Sequence, residues 1–175
     1  MTFVEARNAI VAGLEEHIGC PVVLSEQIAD VPDFPYCYYS VLSTRSTDHS
    51  FGLEEAKDGA KIRSEEVKAT MSFTFCGQNR ELEDGGYIFG EDEALDLSEK
   101  AHGFFLLDAH NISTDSGDIV ISSVGTVSNR SGFVVEDTIR RYGFDIAFSY
   151  VRVDERRRPI VPIAKTGNPI GELTK

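Results

Sequence analysis

The sequence predicts an α/β (α+β) fold: a mainly antiparallel sheet of about four strands, two helices packed on one of its faces, and a long polar excursion between two strands. Three observations carry this expectation. In residues 140–153, RRYGFDIAFSYVRV, Tyr142, Phe144, Ile146, Phe148 and Tyr150 alternate with Gly143, Asp145, Ala147 and Ser149. Residues 66–76, EVKATMSFTFC, do the same, setting Val67, Ala69, Met71, Phe73 and Phe75 against Lys68, Thr70, Ser72 and Thr74. Successive side chains of a strand point to opposite faces, so both stretches read as strands with one apolar face. Two further stretches repeat apolar residues at helical spacing and can cover those faces.

Residues 2–18 read as the first helix. Thr2 and Glu5 form a capping box, Phe3, Ala6, Ile10, Leu14 and Ile18 form the stripe, Gly19 suits the end and Pro21 stops continuation. Residues 22–24 are a short strand, 30–35 a proline turn, and 36–42, YCYYSVL, a strand rich in β-formers. Residues 43–65 break the pattern: polar, with Gly52 and Gly59, and too long for a tight hairpin. They read either as a plain surface loop or as an element that orders against another subunit. Residues 78–90 are a second loop turning at Gly85 and Gly86. Residues 92–110 are the second helix, with Glu91, Asp92 and Glu93 at the positive end of its dipole and Gly103 suggesting close packing. Residues 111–117 are a link and 118–127 a strand with a bend at Gly125. Phe133 to Val135 is a short apolar piece before the long strand. These elements make one domain, 1–154, and residues 155–175 read as an extended proline-containing arm, either a simply disordered terminus or a segment that orders on a neighbour.

The chain has 175 residues and a net charge of −12, which argues against nonspecific nucleic-acid binding by the chain as a whole. No apolar run is long enough to span a bilayer, and the first residues lack the pattern of a secretory signal, so synthesis in the cytoplasm is expected. Cys20, Cys37 and Cys76 are widely spaced and read as buried free thiols. The sequons at Asn111 and Asn129 are discounted for want of a signal.

No phosphate-binding, dinucleotide-binding, zinc-protease or serine-hydrolase motif occurs. His17, His49, His102 and His110 are scattered. His17 sits among glutamates as a surface residue, and no carboxylate or cysteine spacing completes a metal site with His102 and His110. Neither a cofactor nor an enzymatic activity is expected. Charge distribution says more. Residues 80–100 hold eight acids and two bases, whereas residues 155–175 hold two acids and five bases. An acidic region and a basic arm on one chain can attract each other between copies, or both can be solvated surface. Residues 45–66 mix six acids with four bases, a composition that sets partner choice more than affinity.

The order of parts resembles the tail-terminator, or neck-terminator, proteins of tailed bacteriophages over roughly residues 2–154. An amphipathic helix leads to a Tyr-rich strand, a polar excursion, the strand around MSFTFCG, a helix ending FFLLDAHNI and a closing aromatic strand. Arg140 to Ile146, RRYGFDI, is similar to the family's closing pattern of an Arg, then an aromatic and an Asp. The arginine run and proline-rich end lie outside that pattern. The resemblance implies a structural virion protein of the tail or neck, assembled in the host cytoplasm. It implies a homo-oligomeric ring of six that ends tail-tube polymerisation and joins the head-side connector, with genomic DNA passing through the hole. An acidic bore would keep DNA from sticking. The alternatives are a head–tail joining or tail-completion protein elsewhere in the neck, or an unrelated soluble binding module. The expected contact residues are Arg45, Asp48, Glu54, Glu55, Lys57, Lys61 and Arg63 in the excursion and Arg156, Arg157, Arg158, Ile160 and Ile163 in the arm. Partners would be a second copy, the tail-tube protein and connector proteins, with no membrane.

Overall fold

A computed structural model describes residues 1–26, 30–46, 52–57, 59–132 and 138–157. Among these the order is α1 (Phe3–Ile18), β1 (Val22–Leu24), β2 (Tyr36–Ser46), β3 (Leu53–Lys57), β4 (Ala60–Gln78), β5 (Arg80–Glu81), β6 (Tyr87–Ile88), α2 (Gly90–Leu107), β7 (Asn111–Thr114), β8 (Gly117–Val124), β9 (Ser128–Asn129) and β10 (Ile139–Arg157). An 8-stranded mixed sheet runs β1-β2-β4-β10-β8-β7, with β3 added on β4 and β9 on β10. It curls into a half-barrel, so the fold is mostly β. This corrects the expected four-stranded sheet with two helices. The reason is physical. β8 corresponds to the strand expected at 118–127, but most residues of β3, β7 and β9 are not buried, so no apolar alternation marks those three. Their order comes from backbone pairing to a neighbour, which leaves no trace in side-chain chemistry.

The two alternating stretches are the central pair. β4 and β10 are each 19 residues long and pair antiparallel without a break from Gln78↔Ile139 to Ala60↔Arg157. Phe73, Phe75, Phe144, Ile146 and Phe148 are all fully buried, as the alternation predicts. Phe105 of α2 lies 5.6 Å from Phe73 and 6.0 Å from Phe144 between ring centroids. Ala6, Ile10 and Leu14 of α1 complete the same core. Burying each such aromatic or branched side chain stabilises by roughly 1.5–3 kcal/mol.

α1 forms as expected. Thr2 Oγ1 accepts from the Glu5 N–H at 3.3 Å, the Thr2 N–H donates to Glu5 Oε2 at 2.6 Å, and Gly19 ends the helix at φ 74. α2 starts two residues earlier than its acidic run suggests and stops before His110. Its start is set by a close approach: a Cβ at Gly77 would lie 2.2 Å from the Gly90 carbonyl oxygen, and one at Gly90 would lie 2.6 Å from Gln78 N. Gly103, expected to mark close packing, faces open space instead. β8 ends at Val124, just before Gly125, and its register with β10 shifts at Ser122. Cys20, Cys37 and Cys76 are free and buried. No described helix is long and apolar enough to cross a membrane. The piece at 133–135 lies outside the described residues.

Candidate functional site

The polar excursion is not structureless. β2 runs on to Ser46, β3 pairs back on the first residues of β4, and the far side of that stretch of β4 carries the end of β10. The result is a three-stranded ribbon, β3-β4-β10, extending past the helix-covered part of the sheet. Every residue of β3 is exposed. β3 is an edge strand, and the β10 registers with β8 and β9 stop at Tyr150, so both ribbon edges carry backbone groups outside any described ladder.

Directly paired residues share a face, so the register sorts the ribbon's side chains. One face carries the row Leu53–Ser64–Val153 and, next to it, Glu55–Ile62–Glu155. Leu53, Val151 and Val153 are all more than half exposed there. The other face carries Glu54–Arg63–Asp154 and Ala56–Lys61–Arg156. Lys61 Nζ sits 2.6 Å from Glu54 Oε2, and Arg63 Nη1 is 3.8 Å from Asp154 Oδ2. At the tip, Lys61 lies opposite Arg156, while Lys57 and Arg157 flank Ala60. Like charges placed opposite one another destabilise a strand pair in isolation. This is where the two expected sets of contact residues, far apart in sequence, come together: Glu54, Glu55, Lys57 and Lys61 from the excursion, Arg156 and Arg157 from the presumed arm. Residues 155–157 therefore belong to β10 and not to an arm. Arg157 Nε donates to Glu155 Oε1 at 2.9 Å. Asp48, Arg158, Ile160 and Ile163 lie outside the described residues.

Arg45 and Arg63 are engaged within the chain. Both guanidinium groups hydrogen-bond Glu65, Arg45 at 2.7 Å, at the ribbon's base where the Glu65 side chain is only 5% exposed. Two arginines from different strands thus hydrogen-bond Oε2 of one buried carboxylate, which would be costly to leave without a counter-charge, while its Oε1 has no hydrogen-bond partner among the described residues. Beside it a cleft of about 290 Å³ is lined by Thr2, Phe3, Thr44, Arg45, Val67, Tyr150 and Arg152. Arg152 in turn donates to Asp154 at 3.0 Å.

A second polar cluster was not legible from spacing. On the sheet face opposite the helices, Arg130 donates to Ser72 Oγ at 2.6 Å, Thr74 Oγ1 at 3.0 Å, the Phe73 carbonyl at 3.2 Å and Asp145 Oδ1 at 2.7 Å. Ser72 Oγ also donates to Asp145 at 2.6 Å. Burial works against the Asp145 charge, but the hydrogen bonds from Ser72 and Arg130 outweigh it and hold the carboxyl below the ordinary aspartate range. The cluster pins the β9 segment to β4 and β10. The aspartate of the closing-strand pattern thus has a structural partner, and alternation alone could not name an arginine fifteen residues upstream.

His102 is packed edge-on against Phe144 at 5.3 Å, with Nε2 3.1 Å from the Gly125 carbonyl oxygen. His17 stacks on Phe104 at 4.7 Å and is partly buried. No group of three or more metal-ligating side chains occurs among the described residues. What the fold offers is a helix-backed β-body with a charged, exposed ribbon.

Residues 8–174 match the model of a family described as phage neck terminator protein, and the chain belongs to that family. The family is structural, its place is the phage neck, and it associates with other tail and head proteins. The match takes in the C-terminal segment as well as the β-body. Comparison with curated proteins gives no match.

Proposed function

We propose that the chain assembles as a homohexameric ring at the head-proximal end of a phage tail, stops growth of the tail tube and forms the joint to the head connector, with DNA passing through. Family membership supports a neck role, and the ribbon is the observation that carries the finer reading. A three-stranded extension with a basic tip and two edges outside any described ladder, on a chain of net charge −12, is suited to reach an acidic neighbour. The ribbon residues Glu54, Glu55, Lys57, Lys61, Arg156 and Arg157 supply register and partner choice. Leu53, Val151 and Val153 supply apolar area, since exposed ion pairs contribute only about 0–1 kcal/mol each. Residues 158–175 are an arm that orders on a partner surface, helped by Ile160, Val161 and Ile163.

A phage carrying a nonsense codon in this gene tests the reading. The expected lysate holds filled heads and separate tails of uncontrolled length. Tails of normal length that merely fail to attach would place the chain elsewhere in the neck, as a joining or completion protein. Normal virions would remove it from the neck altogether. Truncation after Arg157 is expected to leave the thermal midpoint of the isolated chain within a few degrees of the full chain and to weaken assembly. Full infectivity of the truncated form would dismiss the arm.

A further inference from the structure

At the opposite end of β4 from the basic tip, β5 and β6 form a small hairpin separate from the main sheet. Its exposed face is aromatic. Tyr87 and Phe89, two residues apart, meet edge-to-face with ring centroids 4.9 Å apart, and they are 53% and 59% exposed. Leu82, 41% exposed, follows in the turn, where its N–H donates to the Gly86 carbonyl. Large aromatics left in water on an otherwise well-packed body mark an interaction site. The rim is acidic: Glu81 sits opposite Tyr87 in the register, and Glu83, Asp84, Glu91 and Asp92 are all exposed around it.

The hairpin is held rigidly. Arg80 grips Glu93 of α2 with two hydrogen bonds of 2.7 and 2.6 Å, and Asn79 Oδ1 accepts from the Gly90 N–H at 2.8 Å. The hydrogen bond to Glu93 raises the Arg80 pKa further. A preformed apolar face loses little freedom when it is covered.

We propose that the Tyr87–Phe89 face, with its acidic rim, seats residues 158–175 of a neighbouring copy. Three matches select this occupant. Residues 158–175 carry Arg158, Lys165 and Lys175 against the single acid Glu172, opposite in sign to the rim. They carry Ile160, Val161, Ile163, Ile170 and Leu173, the apolar side chains an aromatic face would cover. Prolines at 159, 162 and 169 favour an extended strap. The copy must be a neighbour because the segment leaves from Arg157, at the far end of β4. The path along that strand is roughly 60 Å at about 3.4 Å per residue, and the segment would consume its full length in covering it. One end of each chain then meets the other end of the next, a heterologous contact of the kind that closes rings. The proposal deepens the ring reading above and takes its second copy from it.

A photoreactive benzoylphenylalanine in place of Phe89, in the full chain, tests this. Equal amounts of light and heavy nitrogen-labelled copies are mixed, illuminated both in solution and in assembled particles, and the cross-linked peptides identified by mass. The expected product joins position 89 of one isotope to a residue of 158–175 of the other. Tyr87→Ser, at an exposed position that leaves the core intact, is expected to lower its yield about tenfold. The triple change Glu81→Gln, Glu83→Gln and Asp84→Asn should lower it several-fold. Cross-links within one isotope only, cross-links to other surfaces, or none in either setting would overturn the proposal. A sixfold neck ring with cross-links elsewhere would sink this contact and leave the ring; the predicted cross-link in particles without a ring would do the reverse.

Discussion

Phe144 sits where the sheet, α2 and the other aromatics meet, with no exposed surface. Replacing it by alanine removes contacts to Phe73, Phe75, His102 and Phe105 together. Phe144→Ala is expected to destabilise the chain by roughly 3–5 kcal/mol, read from urea unfolding. A loss under 1 kcal/mol would mean that the core has been placed on the wrong residues. Asp145, its neighbour on the opposite face, makes a prediction about pH. Its folded pKa is depressed, so its stabilisation is complete above the ordinary value of 3.8 and is lost as pH falls through the lower, folded value. Asp145→Asn should therefore flatten the acid limb of the thermal midpoint against pH and lower the plateau above it. An unchanged acid limb would show that Arg130 and Ser72 do not hold the carboxylate. The buried thiols are a third residue-scale consequence. Burial, and after it the nearby Glu15 and Glu93 charges, push Cys20 to about 11, and burial raises Cys37 as well. In the folded protein at pH 8 neither should react with a thiol reagent on the timescale of unfolded controls.

At the scale of elements, the sequence was readable where a segment buries one face and opaque where it does not. Val67 to Phe75 and Tyr142 to Tyr150 alternate because α1 and α2 cover one side of them, and Thr2, Glu5 and Gly19 mark α1 because caps act locally. β3 has no buried residue, and β7 alternates exposed with half-buried residues of which Ile112 alone is apolar, so neither carries a run of apolar alternation. The excursion therefore read as a loop although it forms most of a ribbon. Pairing that spans almost a hundred residues sets Lys61 of the excursion opposite Arg156 and places Lys57 and Arg157 on either side of Ala60. The tight contact between Gly77 and Gly90 was invisible for another reason: a close approach depends on what faces the glycine across space, and Gly103 attracted attention with nothing opposite it. Because the ribbon carries little of the core, deleting residues 48–61 should leave a folded body with near-native circular dichroism while assembly fails. Normal tube capping and head joining by that deletion would remove the ribbon from any contact role.

For the whole molecule, the acidic body, the basic ribbon tip and the acidic aromatic hairpin at the far end of the same strand give the chain two unlike ends. Copies with unlike ends associate in series, and a series that closes is a ring. Family membership places the chain itself at the phage neck. The most direct measurement is a cryo-electron microscopy reconstruction of the head-proximal end of isolated tails. The account predicts a closed ring of six copies of this 19.3 kDa chain, with each ribbon against the next copy or the adjoining ring. A tail end that lacks this chain, or one that holds it as separate single copies with free ribbons, would contradict it.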